Sequence, residues 1–428
     1  MSIYKYKIIT LGCRVNQYES RAIAERLEEM GMSESETFKD CDLYVINTCA
    51  VTSESTRKSR QMIRRAAMLS NDPVVAVTGC WSELEPQKAA ELGPADLIVG
   101  CGDKTFLCDK ALELLKSREN NLSPIVDLHP LNVYDEYVHV KPAGVREFLK
   151  IEDGCNGKCS YCIISKARGR VRSRDPENAV SEAAALAGNG AKEIVLTGIE
   201  LSGYQYDLAS LIDKIAKIPQ IERIRMGSLD PAFLTHGFID RISKIEKVMP
   251  HFHLSVQSGC SRTLNAMRRK YKADLLYDVI NDLRGSIPRI MLSCDLIVGF
   301  PGETESDLEK TIDFINYAKF IHAHIFPFSP RPGTEAASMP GQLTKSVKEE
   351  RLKRIKKIQD GITSEILASV ISEGDPLPVL VEGFEKGLIK GHSDNFIPVS
   401  AEGNPDDVNK TLSITPLSQN GDGLFGIK

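Results

Sequence analysis

No apolar run in the 428 residues approaches the length needed to span a bilayer. Met1–Lys7, with its two lysines, leads into no secretory h-region. The expectation is a cytoplasmic protein without a membrane partner. An excess of one charge is also missing: 54 basic and 58 acidic residues leave a net −4. No overall cationic field advertises nucleic acid, so any such site has to be a local patch. Aromatics are scarce at 6%, yet 42% hydrophobic and 26% charged residues are those of an ordinary folded chain, not a disordered one. Low-complexity segments are absent. The length calls for two or three domains.

What the chain does have is eleven cysteines. The number is odd and no export signal accompanies it, which argues against a disulfide framework and for metal or redox chemistry.

Residues 1–125 alternate short apolar runs with helical patterns. Lys7–Leu11, Asp42–Asn47, Val74–Thr78 and Asp96–Val99 read as buried strands, and Ser20–Met30, Thr52–Leu69 and Phe106–Lys116 as helices. That is the signature of an open parallel sheet. Residues 140–335 repeat the alternation six times, with strands at Phe148–Glu152, Glu193–Thr197, Arg223–Gly227, His251–Val256, Ile290–Val298 and His324–Phe328. Six units are two short of a closed eight-stranded barrel, so an open, partial (βα)6 barrel is expected. Residues 341–370 form a basic linker, helical over Lys345–Val370 with seven basic and four acidic residues. Residues 371–428 have short runs between Gly, Pro and Asn, which suggests a small β-barrel. The fold class is thus α/β with a β tail.

Gly154-Cys155-Asn156-Gly157-Lys158-Cys159-Ser160-Tyr161-Cys162 puts three cysteines in the spacing C-x3-C-x2-C. Three thiolates on one short loop can hold three irons of a [4Fe–4S] cluster and leave the fourth open. An open iron is what chelation and reductive cleavage of S-adenosylmethionine require. The alternative is zinc, which usually takes paired C-x2-C units and a fourth ligand; the nearest upstream histidine is His139, and no second pair follows.

This loop, set after the first strand of a βα series, resembles the signature of radical S-adenosylmethionine enzymes. The resemblance implies a cluster that splits the cofactor and releases a 5′-deoxyadenosyl radical. It assigns Thr197-Gly198 to the methionine end of S-adenosylmethionine, Ser228, Gln257 and Gly299 to its surroundings, and Tyr161 to shielding the cluster or adenine. In a βα barrel all of these fall on the rim where sites are built.

Cys13, Cys49 and Cys80 each follow a predicted strand of the first domain. Residues just past the carboxyl ends of parallel strands face one crevice, so a second three-thiolate site follows; the competing reading is three small buried hydrophobes. Cys41, Cys101, Cys108, Cys260 and Cys294 are assigned to core or loops.

This arrangement resembles the methylthiotransferases over essentially the whole chain, and their family implies two [4Fe–4S] clusters and a TRAM-like tail. Thr10-Leu11-Gly12-Cys13-Arg14-Val15-Asn16-Gln17-Tyr18-Glu19-Ser20 is similar to the subgroup that methylthiolates threonylcarbamoyladenosine beside the tRNA anticodon. Relatives acting on isopentenyladenosine usually carry Gln-Met-Asn after this cysteine, and those acting on a ribosomal-protein aspartate Pro-Lys-Asn. Asn47–Thr52, Arg268–Tyr271 and Phe326–Thr334 also look like this family. Ser165, Lys166 and Glu200 depart from its pattern.

Lys158–Arg174 holds six basic residues and no acidic one, which nominates Arg168, Arg170, Arg172 and Arg174 for the phosphates of an anticodon loop. Arg57–Arg65 holds five more basic residues, with a solvated surface as the plain alternative. The tail carries four basic and nine acidic residues, a poor phosphate grip by itself. The implied chemistry uses an external electron donor and a second cofactor molecule for the methyl group. No general acid or base stands out. The rivals are another tRNA adenosine, a ribosomal-protein aspartate, or a non-enzymatic iron–sulfur RNA-binding regulator.

Overall fold

A computed structural model describes residues 4–69, 72–93, 95–117 and 124–428, so Met1–Ile3 of the segment read for a secretory signal lie outside them. Strands β1 (Lys5–Thr10), β2 (Leu43–Thr48), β3 (Val74–Gly79), β4 (Leu97–Val99) and β5 (Ile125–Asp127) lie side by side in that order, all parallel. The two-residue strand Ser33–Glu34 pairs with the other edge of β1. Every residue of β2 is buried, as a central parallel strand covered on both faces requires. Helices α1 (Arg14–Glu29) and α3 (Lys104–Ser117) cover one face through Ile23, Leu27, Leu107 and Ala111. Helix α2 (Ser53–Ala67) covers the other through Ile63 and Ala66. Its start is fixed by a reciprocal cap: the Thr52 side chain accepts from Ser55 N, and Ser55 Oγ accepts from Thr52 N, both at 3.1 Å. Helix α1 begins at Arg14, six residues before the predicted Ser20, because its polar first turn carries no apolar periodicity.

The central domain contains β6 (Arg146–Lys150), β7 (Glu193–Thr197), β8 (Arg223–Met226), β9 (His251–Gln257), β10 (Met291–Val298) and β11 (His322–Pro327). They form two parallel three-stranded halves, β6–β7–β8 and β9–β10–β11. The halves join where Leu229 N donates to His253 O and Ser255 N donates to Leu229 O, each at 2.9 Å. Among the described residues β6 and β11 do not pair, so the barrel is open there. Helices α4 (Pro176–Gly188), α5 (Leu208–Ala216), α6 (His236–Ser243), α7 (Ala273–Ser286) and α8 (Glu305–Ala318) wrap it. Helix α1 of the first domain packs against β6, where Arg21 pairs with buried Glu147 and lies 5.6 Å from the Phe148 ring.

Helix α9 (Lys345–Glu373) is capped by Thr344 and by Gly374 in the left-handed conformation. It does not behave as a solvated linker. Ile355, Ile362 and Leu367 are buried, and Arg351 and Arg354 pair with Glu303, Glu305 and Glu309. The tail strands β12 (Leu377–Glu385), β13 (Leu388–Ser393), β14 (Pro398–Glu402), β15 (Thr411–Asn420) and β16 (Gly423–Ile427) close into a barrel. This barrel caps the amino ends of the central strands. Arg223 donates to His392 O and Pro378 O at 3.0 and 2.8 Å, Arg225 to Ser393 O and Asp394 O at 2.9 Å. Phe396 stacks on His251 and His392, with ring centroids 4.7 and 4.5 Å away.

Candidate active site between two cysteine cages

The first cage is local. Glu152–Asp153 pairs antiparallel with Arg172–Ser173, closing the segment between them into one loop. Cys155 N donates to Gly169 O at 3.1 Å and Cys162 N to Cys159 O at 3.1 Å. Gly157 N donates to Cys155 Sγ at 3.2 Å, and Arg269 Nη1 to Cys159 Sγ at 3.6 Å. Ser160 pins the loop to the rim, donating to Ala266 O at 2.8 Å. Burial pushes the Cys155 thiol up to about 11 and Cys162 up to about 12. Metal binding there has to displace protons. Among the described residues no three His, Cys, Asp or Glu groups converge on a single point, as a mononuclear zinc site would need. His139 is no candidate ligand, being buried with its ring 5.0 Å from Tyr18. Three thiols around one loop suit a cubane instead, where each meets a different iron.

The second cage is assembled by the sheet. Thr10 pairs with Asn47, and Thr48 with Gly79, so Cys49 and Cys80 leave their strands at one level with Cys13 beside them. Asn16 Nδ2 ties the ends together, donating to Leu11 O at 2.7 Å and Thr48 O at 3.0 Å. Gly12 is obligatory there: at φ +105° a Cβ would stand 2.9 Å from both Cβ and Sγ of Cys49. Cys13 is exposed, Cys49 and Cys80 buried. Cys101, assigned to core or loops, is buried in the loop just past β4, and its thiol hydrogen-bonds Cys80. That bond, then Arg168, lowers Cys80 to about 6.

Arg168 joins the cages. Its Nε donates to Cys80 Sγ at 3.3 Å, and Nη2 to Asn16 Oδ1 at 2.7 Å and Glu19 Oε2 at 3.0 Å. Nη1 donates to Asp153 Oδ2 at 3.2 Å, two residues before Cys155. Lys150 Nζ completes the cluster, donating to Asp153, Tyr137 and Glu19 at 2.7, 2.7 and 3.0 Å. Arg168 and Lys150 hold the Glu19 carboxyl well below its ordinary range against the cost of burial. The nomination of the arginine run for phosphate is therefore corrected. Arg168 is 0% exposed and Arg174 1%, with Arg174 paired to Glu136 and Glu182; Arg172, also buried, bonds Arg168 O, Arg170 O and Asp153. Only Arg170 of the four is exposed. By contrast Arg57, Lys58, Arg60, Arg64 and Arg65 of α2 are all exposed. Arg57 pairs with Glu54, and Arg65 lies 4.2 Å over the Phe38 ring.

A cavity of about 230 Å³ opens between the domains. Val51 and Thr52, just past Cys49, form one wall, and Tyr161 and Cys162 another. Ile163, Ile297, Phe326 and Phe328 make it largely apolar; Gln257, Asp295 and Arg331 supply polar edges. Arg331 holds the wall shut by bonding Ala50 O and, at 2.9 Å, Thr56 Oγ1. Of the rim residues, Tyr161 and Gln257 line this cavity, Thr197 is buried at the strand end, and Ser228 is exposed. Gly299 does not face the cavity: a Cβ there would stand 2.5 Å from Lys348 Cγ, so α9 fills that space. Beside Gly198 lie two carboxyls that sequence reasoning passed over or noted only as a departure, Glu152 and Glu200. Glu152 Oε2 accepts from Glu200 N at 2.9 Å, but Oε1 of each is buried without a partner. Burial raises Glu152 to about 9 and raises Glu200 as well. Unpaired acceptor oxygens beside Cys155 fit a cationic ligand group.

The matching family models are the Radical SAM superfamily over residues 149–315 and Uncharacterized protein family UPF0004 over residues 5–100. Threonylcarbamoyladenosine tRNA methylthiotransferase MtaB of Bacillus subtilis is 35% identical, across 95% of this chain and 92% of that protein. tRNA-2-methylthio-N(6)-dimethylallyladenosine synthase of Moorella thermoacetica is also 35% identical, across 89% of this chain and 88% of its own length. The radical S-adenosylmethionine methyltransferase TsrM of Kitasatospora setae shares the fold, with TM-score 0.58 at 16% identity, covering 79% of this chain and 77% of that one. The half-open barrel with its three-cysteine loop is that of a radical S-adenosylmethionine enzyme, a class using a [4Fe–4S] cluster and S-adenosylmethionine. Within that class, the chain belongs to the tRNA methylthiotransferase family, enzymes of sulfur and methyl transfer.

Proposed function

We propose that this chain converts threonylcarbamoyladenosine, next to the tRNA anticodon, to its 2-methylthio derivative in the cytoplasm. The observation that carries the reading is one cavity walled on one side by residues following Cys49 and on the other by Cys162. Cys155, Cys159 and Cys162 would hold a [4Fe–4S] cluster, which with S-adenosylmethionine and an external electron donor would supply radical chemistry for hydrogen abstraction at adenine C2. Cys13, Cys49 and Cys80 would hold a second [4Fe–4S] cluster, which would supply the sulfur to be transferred. Glu152 and Glu200 accept the ammonium of the cofactor's methionine end beside Thr197 and Gly198, with Ser228, Gln257 and Tyr161 nearby. Ile163, Ile297, Phe326 and Phe328 clamp the adenine and exclude water. The exposed basic face of α2, opening directly from the cavity wall, takes the phosphates. Among the described residues no helix is long and apolar enough to cross a membrane.

Relatives named for two different adenosines are equally similar to this chain, so overall identity does not select the nucleoside. Arg14-Val15-Asn16 favours threonylcarbamoyladenosine. The test is nucleoside analysis of tRNA from a strain lacking its own methylthiotransferases and expressing this chain. The 2-methylthio derivative of threonylcarbamoyladenosine should appear; its isopentenyl counterpart, or a methylthiolated ribosomal-protein aspartate, would overturn the assignment.

A further inference from the structure

The interior of the central barrel is crowded with charge, and nearly all of it is matched. Arg21 pairs with Glu147, Arg225 with Glu193, Arg146 with Glu382, and Lys150 with Glu19 and Asp153. His253 Nε2 pairs with Asp295 at 3.1 Å, and its Nδ1 meets Ser293 Oγ at 2.9 Å. Arg14, the residue after cage cysteine Cys13, is not matched. It is half-buried, lies 5.9 Å from the Phe148 ring, and makes no side-chain hydrogen bond or ion pair among the described residues. Its charged neighbours include Arg146, Asp295 and Glu193. A half-buried guanidinium that hydrogen-bonds neither nearby carboxylate keeps its forked donors available to a ligand.

Asp295 marks how this region meets the cavity, since it lines the cavity wall and also faces Arg14 and His253. An apolar slot for a flat base thus continues into a polar bay of Arg14, His253, Asp295 and His324, whose rings and charges lie close together; the His253 and His324 centroids are 5.4 Å apart. A prenyl substituent would leave the charge of Arg14 in that bay without a polar partner. A threonylcarbamoyl arm, with its carboxylate, would find in Arg14 a forked donor with no hydrogen bond or ion pair among the described residues.

We infer that Arg14 is the specificity residue that reads the carboxylate of the threonylcarbamoyl group. This rests on the tRNA reading above and deepens it by naming which part of the nucleoside is recognised.

The test is equilibrium binding of the full-length protein to two hairpin RNAs of identical sequence, one carrying threonylcarbamoyladenosine and the other adenosine at the target position. Wild type is expected to prefer the modified hairpin by roughly tenfold or more, the scale of a hydrogen bond to a charged group. Arg14→Gln is expected to erase that preference while holding the adenosine hairpin within about twofold, and Arg14→Lys to restore part of it. If Arg14→Gln keeps the preference, Arg14 is not the reader. If it weakens both hairpins equally, Arg14 grips phosphate or supports the fold instead, and the inference falls. If it weakens S-adenosylmethionine binding by the reconstituted holoenzyme without RNA, the carboxylate it holds is the cofactor's, and the inference falls. A wild type that does not distinguish the hairpins would fail the parent reading rather than this residue.

Discussion

The two cysteine cages of this molecule are built in opposite ways. The barrel cage is three residues of one loop, closed by backbone bonds within Cys155–Arg170 and already evident as a spacing. The amino-terminal cage exists only once β1, β2 and β3 are in register, and its cysteines are separated by whole βα units. A local cage tolerates change elsewhere in the chain. An assembled one is only as sound as its sheet and the close approach at Gly12. Arg168, touching Cys80 on one side and Asp153 on the other, is where the two kinds of construction depend on each other.

That contrast can be broken from either side. Replacing Cys155, Cys159 and Cys162 together with Ala should abolish radical formation, measured as 5′-deoxyadenosine under reduction, yet leave about four of about eight irons per chain. Next in size is Arg168→Met. It strips the main partner from buried Glu19 and Asp153, so stability should fall by about 3–5 kcal/mol in denaturant titration. Arg168→Lys, lacking the forked geometry, should recover only part. Gly12→Ala should lose the amino-terminal iron, about four per chain, while 5′-deoxyadenosine formation persists; loss of both would mean that the cages are not independently built. The smallest effect belongs to the surface. Each of Arg60→Gln and Arg64→Gln should lower the salt slope of tRNA binding by about 1. Arg172→Gln should shift thermal stability and leave the slope alone.

The sequence made the βα order, the half-barrel and both cysteine trios legible, because strands with buried faces and a compact spacing are local signals. Glu193–Thr197 matches its predicted bounds exactly as a five-residue run. The start of helix α1 was obscured by its polar first turn. The arginines failed for a different reason. A basic run with no acid nearby reads as a phosphate site, but the partners of Arg168 stand up to 152 positions away in the chain, at Asn16 and Glu19. Long-range charge pairing leaves no trace in local composition. The same blindness hid the orphaned oxygens of Glu152 and Glu200 and the cavity role of Asp295, which depend on what the fold brings beside them.

The central claim is that both cages serve one cavity. It is tested most directly by electron paramagnetic resonance of the fully reconstituted, reduced protein beside two variants, each lacking one cysteine trio. If the clusters are neighbours, the wild-type spectrum should show spin–spin interaction and differ from the sum of the two variant spectra. A wild-type spectrum equal to that sum would put the two clusters in separate compartments and contradict the account.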